Sequence, residues 1–124
     1  MWDHRARIES VHDGDTVKVY QDDGREEYAS LDIRLFGTFA PELNQVGGTE
    51  TRDYAAAWVK ARDLGPWPFV VQMMRNKSNT HEQTTFGRYV AMVYTADLSE
   101  CLNVAVSAFV AASGYGGGTG STTT

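Results

Sequence analysis

Arg7-Ile8-Glu9-Ser10-Val11-His12-Asp13-Gly14-Asp15-Thr16-Val17-Lys18-Val19-Tyr20 decides the fold of this 124-residue chain. Arg7–Val11 alternates polar and apolar residues, Thr16–Tyr20 does the same, and His12–Asp15 between them is a turn signal. A period of two marks strands with one buried face, so the stretch predicts a β-hairpin. Asp22-Asp23-Gly24 is a second turn, and Glu27–Phe36 follows with Leu31, Ile33 and Leu35 on one face. Three meandering strands therefore fill the first 36 residues.

Gly37 through Gly48 is irregular, with Pro41 and the Gly47-Gly48 pair. A helical pattern begins next: Thr49 suits the N-cap, Glu50 suits the first turn, and Gly65-Pro66 closes the segment. Tyr54, Ala55, Trp58, Val59 and Arg62 fall at helical spacing along it. Phe69–Met74 and Gly87–Tyr94 read as strands separated by the polar stretch Asn76–Thr85. Leu102–Ala112 reads as a last helix, with Leu102, Val104, Val106, Phe109 and Val110 apolar. Strand–strand–strand–helix–strand–strand–helix is the order of a five-stranded Greek-key barrel of the OB type. The fold class expected is α+β, mainly β, with one helix between strands 3 and 4 and one at the C-terminal end.

Residues 1–112 make one domain, since 124 residues suffice for one ordinary core and not for two. Residues 113–124 carry no charge and five of the twelve glycines, the composition of a flexible tail or an assembly arm. No apolar run reaches the roughly 18 residues of a membrane helix. The N-terminal residues are polar and charged with no signal peptide seen, so the expected location is the cytoplasm or a virion, with no membrane partner. Cys101, the single cysteine, excludes an internal disulfide and a multi-cysteine zinc site. Sixteen acids against eleven bases give −5, and residues 1–50 alone hold eleven acids against five bases. A generic DNA binder is strongly basic, so any nucleic-acid role rests on a local site.

Four local features could carry chemistry. Asp13-Gly14-Asp15-Thr16 sets two carboxylates around a glycine, which can direct oxygens at a hard cation or simply form a turn. Arg34-Leu-Phe-Gly-Thr-Phe-Ala-Pro-Glu42 sends an arginine off a strand and a glutamate past a proline that fixes the backbone. Phe86-Gly87-Arg88 opens another strand with an arginine, and Leu102-Asn103 puts an amide at a helix start, where an N-cap is the ordinary role. His4, His12 and His81 lack ligand spacing. Trp2, Trp58 and Trp67 read as packing residues rather than base-stacking platforms, and Cys101 as a buried small hydrophobe.

In this order and spacing the motifs resemble the staphylococcal-nuclease (thermonuclease-like) family over roughly residues 5–112. Its pattern runs Asp-Gly-Asp-Thr, Arg-Leu-x-Gly-x-Asp-Ala-Pro-Glu, a Gly-rich loop into a helix, Tyr-Gly-Arg and Leu-Asn. The resemblance implies an OB barrel that cleaves phosphodiester bonds of DNA and RNA with Ca2+. It makes Glu42 the general base for the attacking water, and Arg34 and Arg88 the phosphate clamp. It makes Asp15 and the Ala40 carbonyl metal ligands, with Asp13 nearby.

The chain departs from that pattern at Phe39, which stands where the family has its second metal-binding aspartate. A phenyl ring offers no oxygen, and it is expected to take up the space where the ion would lie. Two readings follow: a nuclease with a weakened metal site, or a catalytically inactive barrel serving in a larger assembly such as a phage particle. In either, residues 113–124 are the candidate contact with a protein partner.

Overall fold

The computed structural model describes residues 3–74, 84–85 and 88–115, with the backbone alone at Thr84, Thr85 and Arg88. β1 (Asp3–Asp13), β2 (Thr16–Gly24) and β3 (Glu27–Leu35) form the expected antiparallel meander. Helix α1 (Gly48–Arg62) follows, then β4 (Phe69–Met73), β5 (Thr84–Thr85), β6 (Arg88–Thr95) and helix α2 (Leu102–Ser113). β1 pairs with β4, β4 with β6, and β6 runs parallel to β3. That last pairing, Ile33 with Tyr89 through Leu35 with Ala91, closes five strands into an OB-like barrel. β5 is a two-residue strand that the polar stretch was not expected to hold, and it pairs with the start of β6.

Closure explains the alternation. Ala6, Val17, Val19, Ile33, Leu35, Phe69, Val71, Ala91 and Val93 are all buried inside the barrel. Ala55, Trp58 and Val59 of α1, and Leu102, Val106 and Val110 of α2, complete that core. In α2 the apolar buried residues Leu102, Val106 and Val110 recur every fourth position, so Val104 falls off that face and is 63% exposed. Among the described residues no helix is long and apolar enough to cross a membrane.

Two helix starts differ from expectation. The N-cap of α1 is Gly47, not Thr49, and its φ of 85° is a left-handed conformation that glycine adopts freely. A side chain on Gly47 would also collide with the Tyr115 ring, which lies there because Gly114, at φ 75°, turns the chain back after α2. Residues 113–115 are thus part of the packed body: Ser113 ends α2 and Tyr115 lies against the core and Phe109. Residues 116–124, the rest of the expected tail, lie outside the described residues. Cys101 holds the N-cap position of α2 without a side-chain cap bond, and it is half-buried rather than buried.

Candidate functional site

The β1–β2 turn, the end of β3 and the loop after it meet at one end of the barrel. Gly14 makes the approach possible, since a Cβ there would stand 2.5 Å from Thr51 Cγ2 and 2.7 Å from the Ala40 Cβ. The Asp15 carbonyl accepts from Leu35 N–H at 2.8 Å, and Asp15 Oδ2 accepts from Ala40 N–H at 3.4 Å. Asp15 N–H donates to Asp13 Oδ1 at 3.2 Å, which holds the two carboxylates on one turn. Thr16, next to Asp15, pairs across the sheet with Arg34.

Burial pushes the Asp15 carboxyl up to about 6, and a hydrogen bond with the Asp13 side chain and its negative charge add to the rise. The Ala40 N–H and the Arg34 guanidinium offset part of it. Asp13, Asp15, Ala40 and Arg34 therefore share one electrostatic site.

The loop from 36 to 42 is anchored by alternate residues. Thr38 is buried and donates through Oγ1 to the Asn103 carbonyl at 3.1 Å, while Ala40 and Pro41 are also buried. Phe39 and Glu42 are exposed instead. Phe39 is 54% exposed, so its ring is largely open to solvent rather than buried with the loop. Glu42 is exposed, and its side chain makes no hydrogen bond or ion pair among the described residues. Arg88 opens β6 two residues before Val90, the partner of Arg34, so its backbone stands at this end of the barrel. Its side chain and the preceding Phe86-Gly87 lie outside the described residues.

Among the described residues no group of three or more His, Cys, Asp or Glu side chains could hold a metal. Ca2+ takes six to eight oxygens, and here the described carboxylates at the site are Asp13 and Asp15. One oxygen of Asp15 already accepts the Ala40 N–H. Among the described residues, the donors at this end do not make up a calcium site.

Asn103 is not an N-cap. Its Oδ1 accepts from Val93 N–H at 2.9 Å, and its Nδ2 donates to the carbonyls of Phe36 at 2.9 Å and Ala91 at 3.1 Å. No local sequence signal separates such a clamp from a cap, because both put an amide at a helix start. Sequence reasoning also missed Thr51, whose Oγ1 donates to the Gly47 carbonyl at 2.7 Å while its methyl packs under Gly14.

An open groove of about 540 Å3 lies at the far end of β6, lined by residues including Arg62, Leu64, Pro68, Thr95, Asp97 and Glu100. Arg62 is held there by two bonds to Glu100 Oε1, at 3.1 and 2.7 Å, and by one to the Trp58 carbonyl. Its guanidinium is committed to the fold. Comparison with protein-family models and with curated proteins finds no match to this chain.

Proposed function

We propose that the chain hydrolyses phosphodiester bonds of DNA or RNA at the barrel end formed by Asp13, Asp15, Arg34 and the loop to Glu42. The observation that carries this reading is the convergence of the Asp15 carboxylate, the Ala40 N–H and the Arg34 charge, from three separate segments of chain. Phosphoryl chemistry is mostly positioning and electrostatic stabilisation, which suits a guanidinium held beside a turn of carboxylates. Arg34 binds the phosphate with Arg88, the forks of arginine giving bidentate contacts. Glu42, exposed two residues beyond Ala40 on the same loop, takes the proton of the attacking water. The setting is the cytoplasm or a virion.

The exposed Phe39 and the short donor set favour a second reading, an inactive barrel whose surfaces serve in an assembly. One experiment separates the two: digestion of a plasmid and of a single strand, with Ca2+, Mg2+, Mn2+ and EDTA side by side. The nuclease reading expects cleavage in at least one cation, lowered about 100-fold or more by Glu42→Gln, the typical contribution of a general base. Absence of cleavage in every arm, or cleavage unchanged in Glu42→Gln, overturns it.

A further inference from the structure

Strand alternation puts a second set of side chains on the outside of the meander. Ala6, Val17, Val19, Ile33 and Leu35 point inward, so Arg5, Arg7, Lys18, Tyr20, Tyr28 and Arg34 share the outward face of β1–β3. Trp67, from the connection between α1 and β4, joins them. The rings of Tyr20, Tyr28 and Trp67 are parallel within 12°, with centroids 5.6, 5.8 and 6.2 Å apart. Three rings in one column would place the outer pair at twice the inner spacing. A nearly equilateral triangle is instead a patch of parallel rings. Arg7 Cζ lies 4.7 Å from the Tyr20 centroid and 5.5 Å from that of Trp67, and Arg5 Cζ lies 5.1 Å from Trp67. Among the described residues no guanidinium covers Tyr28, which is 46% exposed.

We propose that this face is a stacking platform for a single-stranded nucleic acid, with Tyr28 as the ring that receives a base. The proposal rests on the reading of the substrate as nucleic acid, and it adds a site remote from the chemistry. Tyr28 is held by Tyr20 and Trp67 before any ligand arrives, so little side-chain freedom is lost on stacking. A cross-strand aromatic pair that served only the sheet would gain most by burying both rings, and Tyr28 remains open. A duplex keeps its bases stacked within itself and offers none to this ring. A single strand offers every base.

The charges fit a strand held by its bases more than by its phosphates. Arg5 is paired with Asp22 at 2.8 Å, and Glu9 and Asp32 also stand on this face, against Arg7, Lys18 and Arg34. Tyr28 and Arg34 lie on the same side of β3, six residues and so about 20 Å apart. A strand laid along β3 can rest a base on Tyr28 and present a phosphate to Arg34, passing Lys18 between them.

The test is fluorescence anisotropy of a labelled single strand of about 15 nucleotides, near the upper site size of one such barrel, with the full chain in EDTA. An abasic strand of equal length and the matching duplex serve as competitors. The base-bearing strand is expected to bind about tenfold or more tighter than either, Tyr28→Ala to erase the difference, and Tyr28→Phe to keep it. Its salt slope should be shallow, about −0.7 for each phosphate contact. Equal binding of the abasic strand or the duplex, or an unaltered preference in Tyr28→Ala, overturns the platform. Should the alanine variant not fold, Tyr28→Leu carries the same test with an apolar side chain that lacks a π face. Cleavage is scored separately. A Tyr28-dependent preference without cleavage leaves the platform and removes the nuclease reading; cleavage without that preference does the reverse.

Discussion

The side-chain amide of Asn103 donates to the Phe36 carbonyl at 2.9 Å, fastening α2 to the end of β3 that carries Arg34. The same side chain serves Val93 N–H and the Ala91 carbonyl, so one residue joins a helix and two strands. Asn103→Leu would fill the space and leave the Val93 N–H and the Phe36 carbonyl without that partner, while the Ala91 carbonyl keeps the Phe36 N–H at 2.9 Å. Buried groups so orphaned cost about 1–3 kcal/mol, and a loss of about 3 kcal/mol or more in urea unfolding is expected for this variant. Asn103→Asp should lose nearly as much, since a carboxylate accepts from Val93 but cannot donate to either carbonyl. An Asp variant as stable as the parent would show that the amide donors do not matter.

The hairpin at 7–20 was legible because alternation and a turn signal are local, and the barrel makes that alternation a matter of inside and outside. The candidate site was legible as residue types only. Asp15 and Ala40 are 25 residues apart, and what brings them together is Gly14 lying on Thr51, a contact between a turn and a helix that no spacing encodes. The Asn103 clamp is hidden from the sequence for the same reason: its partners lie 10, 12 and 67 residues away. The packing role expected of Trp67 takes the form of ring contacts with Tyr20 and Tyr28. Strand parity could have put those tyrosines on one outer face, but nothing in the sequence says where the loop delivers the indole.

Gly14→Ala tests the contact that assembles the site. The added methyl meets the Thr51 methyl and the Ala40 Cβ, which are anchored by α1 and by the buried loop. Overpacking of this kind costs about 1–3 kcal/mol. Thr51→Ser removes the nearer methyl and keeps the hydroxyl that bonds the Gly47 carbonyl, so the double variant should recover part of the loss. Additive effects in a double-mutant cycle by thermal melting would contradict the contact as the cause.

Asp15 makes stability depend on pH in a definite direction. Its pKa is raised from 3.8 to about 6 in the fold, so between those values the native state binds more protons than the unfolded chain. Its contribution to stability is fully present below 3.8 and is lost as the pH rises through about 6. In EDTA, Asp15→Asn should raise the melting temperature at pH 7–8, because the amide carries no buried charge and still accepts from Ala40 N–H. The gain should shrink toward zero below pH 4. A gain that is the same at pH 4 and pH 8 would rule out the carboxylate as its source.

Phe39→Asp asks whether the donor set beside Asp15 lacks only one carboxylate. The Phe39 ring is 54% exposed, so removing it sacrifices little packing, while residue 40 next to it is fixed by the bond to Asp15. The new carboxylate joins Asp13 and Asp15, whose proximity already helps hold the Asp15 carboxyl near 6. Without a cation the added charge should push Asp15 higher still and lower the melting temperature at neutral pH. With Ca2+ the sign should reverse, since a ligand present at 100 times its Kd stabilises by about 2.7 kcal/mol. Calcium titration calorimetry and thermal melting of parent and variant read the two effects together. A variant destabilised in EDTA, rescued by Ca2+ and binding it with measurable heat, beside a parent that shows neither, would establish that one missing oxygen ligand separates this site from a calcium site. If the variant takes up no Ca2+ and its melting temperature does not respond to the ion, the Asp13–Asp15 turn is not a cation site, and its carboxylates act only through their charge on the neighbouring arginine.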